Sequence, residues 1–157
     1  MTSSNSFIDG VRRLLPGIWF GLLLAIALIA TPAASAALDR ASFGAVARAI
    51  FAREAPASIV LGVLLLMVER QDAFRRHEAS GASQFSLEMT LLVVALFCTV
   101  MGYYGLQPMM EQARVGGGSG LTFMQWHAVS LAFFGVKGLA VLGLAWRATQ
   151  AGVRPSS

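Results

Sequence analysis

Residues 14–38, LLPGIWFGLLLAIALIATPAASAAL, form a run of 25 residues without one charged side chain, closed by Arg12 and Arg13 before it and Asp39 and Arg40 after it. As a helix rising 1.5 Å per residue the run is about 37 Å long, more than the roughly 30 Å hydrocarbon core of a bilayer. A helix is the form required there, because an unpaired backbone group in lipid costs several kcal/mol and the chain lacks the alternating ten-residue segments of a membrane barrel. The run also imitates a secretory signal, with Arg12 and Arg13 ahead of it and the small triplet Ala34-Ser35-Ala36 within it. A signal's apolar region is typically about 7 to 15 residues. Residues 14–30 alone exceed that, so the segment is expected to be retained as a transmembrane helix.

Working outward, a second apolar run, 55–68, is only 14 residues long and must recruit the stretch from Ser42, with Arg48, Arg53 and Glu54, to span as 42–68. A third span covers 85–106, interrupted by Glu88 and expected to stop at Gln107-Pro108, since proline ends helices. The fourth covers 121–146 and contains Lys137. A polar connector at 69–83 separates the second and third spans, and the GGGSG segment at 116–120 reads as a turn before the fourth. Four spans with short links predict an all-α integral membrane protein, a four-helix up-and-down bundle in one domain over 1–157. Composition agrees: of 157 residues 56% are hydrophobic and 13% charged, against about a quarter charged in soluble domains.

Arg12, Arg13, Arg70, Arg75, Arg76, Arg147 and Arg154 fall on one side of these spans, and Arg40 and Arg114 in the opposite loops. Seven against two is a positive-inside signal, so both termini are expected in the cytoplasm of a bacterium and the chain in its inner membrane. The net charge of +4 is then topology, with the lipid bilayer as partner and no nucleic acid. One cysteine excludes an internal disulfide, and His77 and His127 lie far apart without a CxxC, so no metal or cofactor is expected. No P-loop, GxSxG, HExxH or dinucleotide fingerprint is present, and the chain reads as no enzyme. Trp146 suits an inner aromatic belt, and Tyr103, Tyr104 and Trp126 an outer one.

Lipid supplies no hydrophobic drive between helices, so small residues that admit close approach carry the packing. Gly17, Gly21 and Ala25, then Ser58 and Gly62, then Ala128 and Ala132 recur at every fourth position. Packing inside the bundle is the expectation for them, with a homo-oligomer or a membrane partner left open.

Ionisable residues inside spans are candidates for function because they are costly there. Lys137 lies near the middle of the fourth span and Glu88 enters the third, so a Lys137–Glu88 pair is expected, as a charge-neutralising contact ahead of an ion relay. Toward the outer side, antiparallel order places Arg53, Glu54, Tyr104, Gln107, Arg114, His127 and Ser130 in a polar cluster, with Tyr103, Glu111 and Trp126 at similar depth. Interhelical hydrogen bonding is the plainer account of it, and a pocket for a small solute or ion the sharper one. Soft-metal handling is a third reading, because Cys98, Met101, Met109, Met110, Met124 and His127 suit Cu(I), although methionine also fills gaps in apolar packing.

Several short motifs occur in order: Trp19-Phe20-Gly21, Thr31-Pro32, Ser42-Phe43-Gly44 with Ile50-Phe51, Tyr104-Gly105-Leu106-Gln107-Pro108 with Arg114, and Trp126-His127-Ala128-Val129-Ser130. In these the chain resembles the bacterial domain-of-unknown-function family 4149, similar to eukaryotic transmembrane protein 205. The resemblance implies a four-helix integral membrane protein with no assigned reaction, and it implies that Pro108, Arg114, His127 and Ser130 occupy the family's polar positions. Lys137 looks like a departure from that pattern. Relatives are associated loosely with drug or metal tolerance, which names no substrate. Function is therefore expected to lie in binding or passing a small solute or ion, with a non-catalytic membrane scaffold or partner subunit as the alternative.

Overall fold

The computed structural model describes residues 2–80, 86–116 and 120–150. Four rods make up the chain. The first is α1 (Thr2–Ala25), a π-helical turn (Ile26–Ala30) and α2 (Thr31–Ala37); the second is α3 (Arg40–Ser80). The third is α4 (Leu87–Thr99), a second π-helical turn (Val100–Gly105) and α5 (Leu106–Arg114); the fourth is α6 (Phe123–Gln150). Each holds a stretch long and apolar enough to cross a membrane: Ile8–Ala37, Arg40–Arg75, Leu87–Arg114 and Phe123–Gln150.

Helix starts follow from capping chemistry. Asp39 accepts the N–H groups of Ala41 and Ser42 at 2.9 and 3.1 Å and opens α3, and Ser86 accepts that of Met89 at 3.2 Å and opens α4. Thr122 and Gln125 exchange bonds in a capping box ahead of α6. The Ser42 hydroxyl, followed by the backbone N–H groups of Ser42 and Ala41, holds the Asp39 carboxyl below the usual carboxylate range.

The spans differ from expectation at two ends. The third does not stop at Pro108, because the π-helical turn just before it widens the helix where the proline ring would meet the preceding carbonyls, and α5 continues to Arg114. Pro32 follows the other π-helical turn in the same way. The connector expected over 69–83 is instead helical to Ser80, so α3 is longer than a span of about 20 residues needs; 81–83, the rest of that connector, and 84–85, with the expected start of the third span, lie outside the described residues. Within the expected GGGSG turn, Gly116 and Gly120 take positive φ of 76° and 130°, a backbone region that glycine enters without a Cβ penalty, and 117–119 lie outside the described residues.

Around the bundle, α1 packs on α3 and α6, and α4 packs on the same two, so the rods close a square in chain order. Ion pairs give their directions. Arg12 at the start of the first rod meets Glu69 in the C-terminal part of the second, and Glu88 at the start of the third meets Arg147 near the end of the fourth. Consecutive rods therefore run antiparallel. Trp19, Leu23, Leu65, Leu92, Ala95, Ala140, Val141 and Leu144 fill the centre, while residues such as Leu14, Leu28, Ile29, Leu131 and Leu139 turn outward with more than 60% of their surface exposed. An apolar exterior of that extent requires lipid around it.

Only part of the small-residue pattern packs inside. Ser58 and Gly62 face inward, and a Cβ on Gly62 would lie 2.6 Å from Leu96 Cδ2 and 3.1 Å from the Trp19 ring. Gly17, Gly21 and Ala25 point out of the bundle instead, with nothing within 4 Å of a Cβ at either glycine. Ala128 and Ala132 are exposed too. Internal packing is therefore not their role: Trp19 and Leu23, on the opposite face of α1, fill the centre and leave the glycine face outside.

Candidate functional site

Two polar constructions interrupt the apolar bundle. The first is buried near its middle. Glu54 and Ser58 stand one turn apart on α3, and the Ser58 hydroxyl donates to Glu54 Oε1. Trp19 Nε1 on α1 donates to Ser58 Oγ at 2.8 Å, and Lys137 Nζ on α6 donates to Glu54 Oε1 at 2.7 Å. Three rods are thus joined by the chain Trp19–Ser58–Glu54–Lys137. Glu54 and Lys137 expose only 4% and 3% of their surfaces. The ammonium also stands 5.0 Å from the Phe134 ring centroid, a ring that Phe51 meets edge-on at 5.7 Å. No buried side-chain nitrogen or oxygen among the described residues lacks a hydrogen-bond partner.

Lys137 therefore does not pair with Glu88. Glu88 is the second residue of α4, at the end of the bundle, and its carboxylate takes Arg147 Nε at 2.7 Å. Lys137 sits ten residues before Arg147, about 15 Å along the helix. Glu54 leaves the expected outer cluster for the same reason: it faces the interior at the level of Lys137, and its neighbour Arg53, turned about 100° away, is exposed.

The remaining members of that cluster do not converge. Arg53, Tyr104, Arg114 and His127 are exposed, Gln107 and Ser130 half-buried. Arg114 meets Glu111 on its own helix at 3.9 Å, Tyr104 stacks edge-on with Tyr103, and His127 lies over Phe123 with centroids 6.2 Å apart. Among the described residues no hydrogen bond or ion pair joins these six to one another. The soft-metal set is likewise split, with Cys98 buried in the bundle and His127 exposed at its rim.

The second construction closes the end where the first rod begins. Arg12 grips Glu69 through two bonds, Nε to Oε1 at 2.5 Å and Nη2 to Oε2 at 2.8 Å, and gives Nη1 to Asp72 at 2.7 Å. With the Glu88–Arg147 pair this places at least one charged side chain from every rod in a collar. Inside it lies a cleft of about 200 Å³, walled by Asp9, Arg12, Arg13, Glu69, Glu88 and Arg147, with Pro16, Leu65, Leu92 and Leu144 as its apolar lining. Below that lining, Trp19 and Val141, both fully buried, belong to the core that holds the Glu54–Lys137 pair.

Sequence reading took Ser58 as a small packing residue and Trp19 as a motif residue and missed their hydrogen bonds, whose clue was the Glu54-to-Ser58 spacing of four. It also passed over the contact of Arg12, which counted only as a topology signal, with Glu69 and Asp72, which lay within the expected polar connector. Charged residues at one end of antiparallel helices can meet only once the order of the rods is known.

Four antiparallel apolar rods with a lipid-facing exterior, a buried charge pair and a charged collar at one end define a helical multi-pass membrane protein. The chain belongs to the family described as a domain of unknown function (DUF4149), whose model matches residues 14–119. Comparison with curated proteins and with solved structures found no match.

Proposed function

We propose that this protein is a non-catalytic, multi-pass protein of the bacterial inner membrane that binds a small solute or ion in the collar cleft, with both termini in the cytoplasm. The observation that carries the reading is the cleft itself, which draws charged walls and an apolar lining from all four spans; converging polar groups over an apolar pocket are the usual form of a small-ligand site. Orientation rests on the arginine excess at the same end, so the cleft opens to the cytoplasm. Binding is favoured over passage because the Leu65–Leu92–Trp19–Val141 layer packs tightly between the cleft and the buried pair. The Glu54–Lys137 pair then neutralises two charges and ties three rods together. Similarity to eukaryotic transmembrane protein 205 belongs to this proposal and adds no ligand to it.

A panel of ions and small solutes, screened for stabilisation of the protein in nanodiscs, tests the reading. At least one compound should raise the unfolding midpoint of the wild type and not that of Ala148→Trp, which fills the mouth from a wall residue. A panel in which every compound acts equally on both proteins would defeat it. The scaffold reading has its own support in the outward face of Gly17, Gly21 and Ala25, a small-xxx-small row that a partner helix can approach closely. Capture of a partner membrane protein that is lost in Gly21→Leu, with solute stabilisation absent, would favour it instead.

A further inference from the structure

We infer that the collar cleft recognises a small zwitterion bearing an ammonium, a carboxylate and an apolar side group, a free amino acid of about leucine's size. This deepens the solute-binding reading and rests on it. The argument begins with where the charges stand. Glu69 and Glu88 come from α3 and α4, which are neighbours, and both line the cleft. Arg12 and Arg13 come from α1 and Arg147 from α6, also neighbours. Asp9 also lies on α1, so the mouth carries two negative charges toward α3 and α4 and, net, two positive charges toward α1 and α6. Its walls hold three acidic and three basic side chains, so no net charge selects a lone cation or a lone anion. A divided field of that kind favours a ligand carrying both signs at once.

Donors and acceptors remain for such a ligand. Glu69 accepts one bond at each oxygen from Arg12, and a carboxylate has about four acceptor positions. Arg147 uses Nε on Glu88, and a guanidinium carries five N–H donors in all. Arg13 is exposed at the rim. An ammonium set toward Glu69 and Glu88 would place a carboxylate toward Arg147 and Arg13, with the side group directed to Leu65, Leu92 and Leu144. The size agrees: about 200 Å³ is below the roughly 300–1,000 Å³ of pockets for drug-sized ligands.

Calorimetric titration of the full chain in nanodiscs with leucine, isoamylamine and 4-methylpentanoate separates the outcomes. Leucine should bind, while the amine, which lacks the carboxylate, and the acid, which lacks the ammonium, should each bind at least tenfold more weakly. Glycine, without the side group, should also lose at least tenfold. Arg147→Gln should weaken leucine at least tenfold while leaving the unfolding midpoint within a few degrees, because its ion pair is 43% exposed on the arginine side. Either single-charge analogue binding as tightly as leucine, or Arg147→Gln leaving leucine unchanged, would overturn the amino-acid assignment and leave the solute site standing. Silence from all four compounds would also overturn it; the solute site itself falls only if the wider panel fails as well.

Discussion

Replacing Lys137 by methionine removes the charge from the buried pair at nearly constant length. The ammonium lies 2.7 Å from Glu54 Oε1, and at an effective dielectric constant of about 20 two unit charges at that separation attract by about 6 kcal/mol. Desolvation offsets most of this attraction when the pair forms, but deleting one partner strands the other, which costs about 3–5 kcal/mol in buried pairs. Lys137→Met should therefore lower unfolding free energy by about 3 kcal/mol or more. Adding Glu54→Gln should restore part of the loss, because the neutral amide still accepts from Ser58 and needs no counter-charge. Reversible unfolding in mixed micelles, followed by tryptophan fluorescence, gives the four stabilities of the double-mutant cycle. A loss under about 1 kcal/mol in Lys137→Met would refute the reasoning, since exposed pairs contribute that little. So would additivity of the two substitutions. Equal rescue by Glu88→Gln would return the lysine to the partner that the linear order suggested.

Three further expectations can be measured in the same system. Gly62→Ala should cost about 1–3 kcal/mol by overpacking against Leu96 and Trp19, whereas Gly17→Ala and Gly21→Ala, with open space around them, should leave monomer stability unchanged or raised by up to about 1 kcal/mol each. Ser58→Ala should cost about 1–3 kcal/mol, because Trp19 Nε1 loses its acceptor in a buried site, and the tryptophan emission should shift with it. The Asp39 carboxyl is held below its ordinary range by the Ser42 hydroxyl, so its contribution is complete above the unfolded-state pKa and disappears as pH falls through the lowered folded value. Thermal midpoints of wild type and Asp39→Ala should accordingly differ at pH 7 and converge in acid; a gap that widens on acidification would reverse the sign.

Much of the architecture was legible because lipid imposes one rule along the whole chain: every backbone group must be paired within its own helix, so length and apolarity suffice to find the rods. Helix ends were harder to read. Pro108 looked like a terminus, and the π-helical turn that carries the helix past it depends on backbone register, for which no residue type is a reliable marker. The stretch from Glu69 to Ser80 looked like a connector because it is polar, yet helices outside the bilayer are polar on at least one face, and Arg12 holds this one against α1.

The sites divide along the same line. That Lys137 and Glu54 were ionisable residues inside spans followed from the amino acids alone, and so did the need for each to find a partner. Which partner was decided by depth and rotation: α3 turns Glu54 inward and Arg53 out, α6 sets Lys137 level with Glu54, and Glu88 remains at the bundle end with Arg147. By itself the sequence determined that the chain crosses a membrane four times as helices, since that depends on one-dimensional composition. Tertiary structure alone decided the collar and the buried chain from Trp19 to Lys137, because a hydrogen bond between residues 39 or 83 positions apart depends on how the rods are placed in three dimensions.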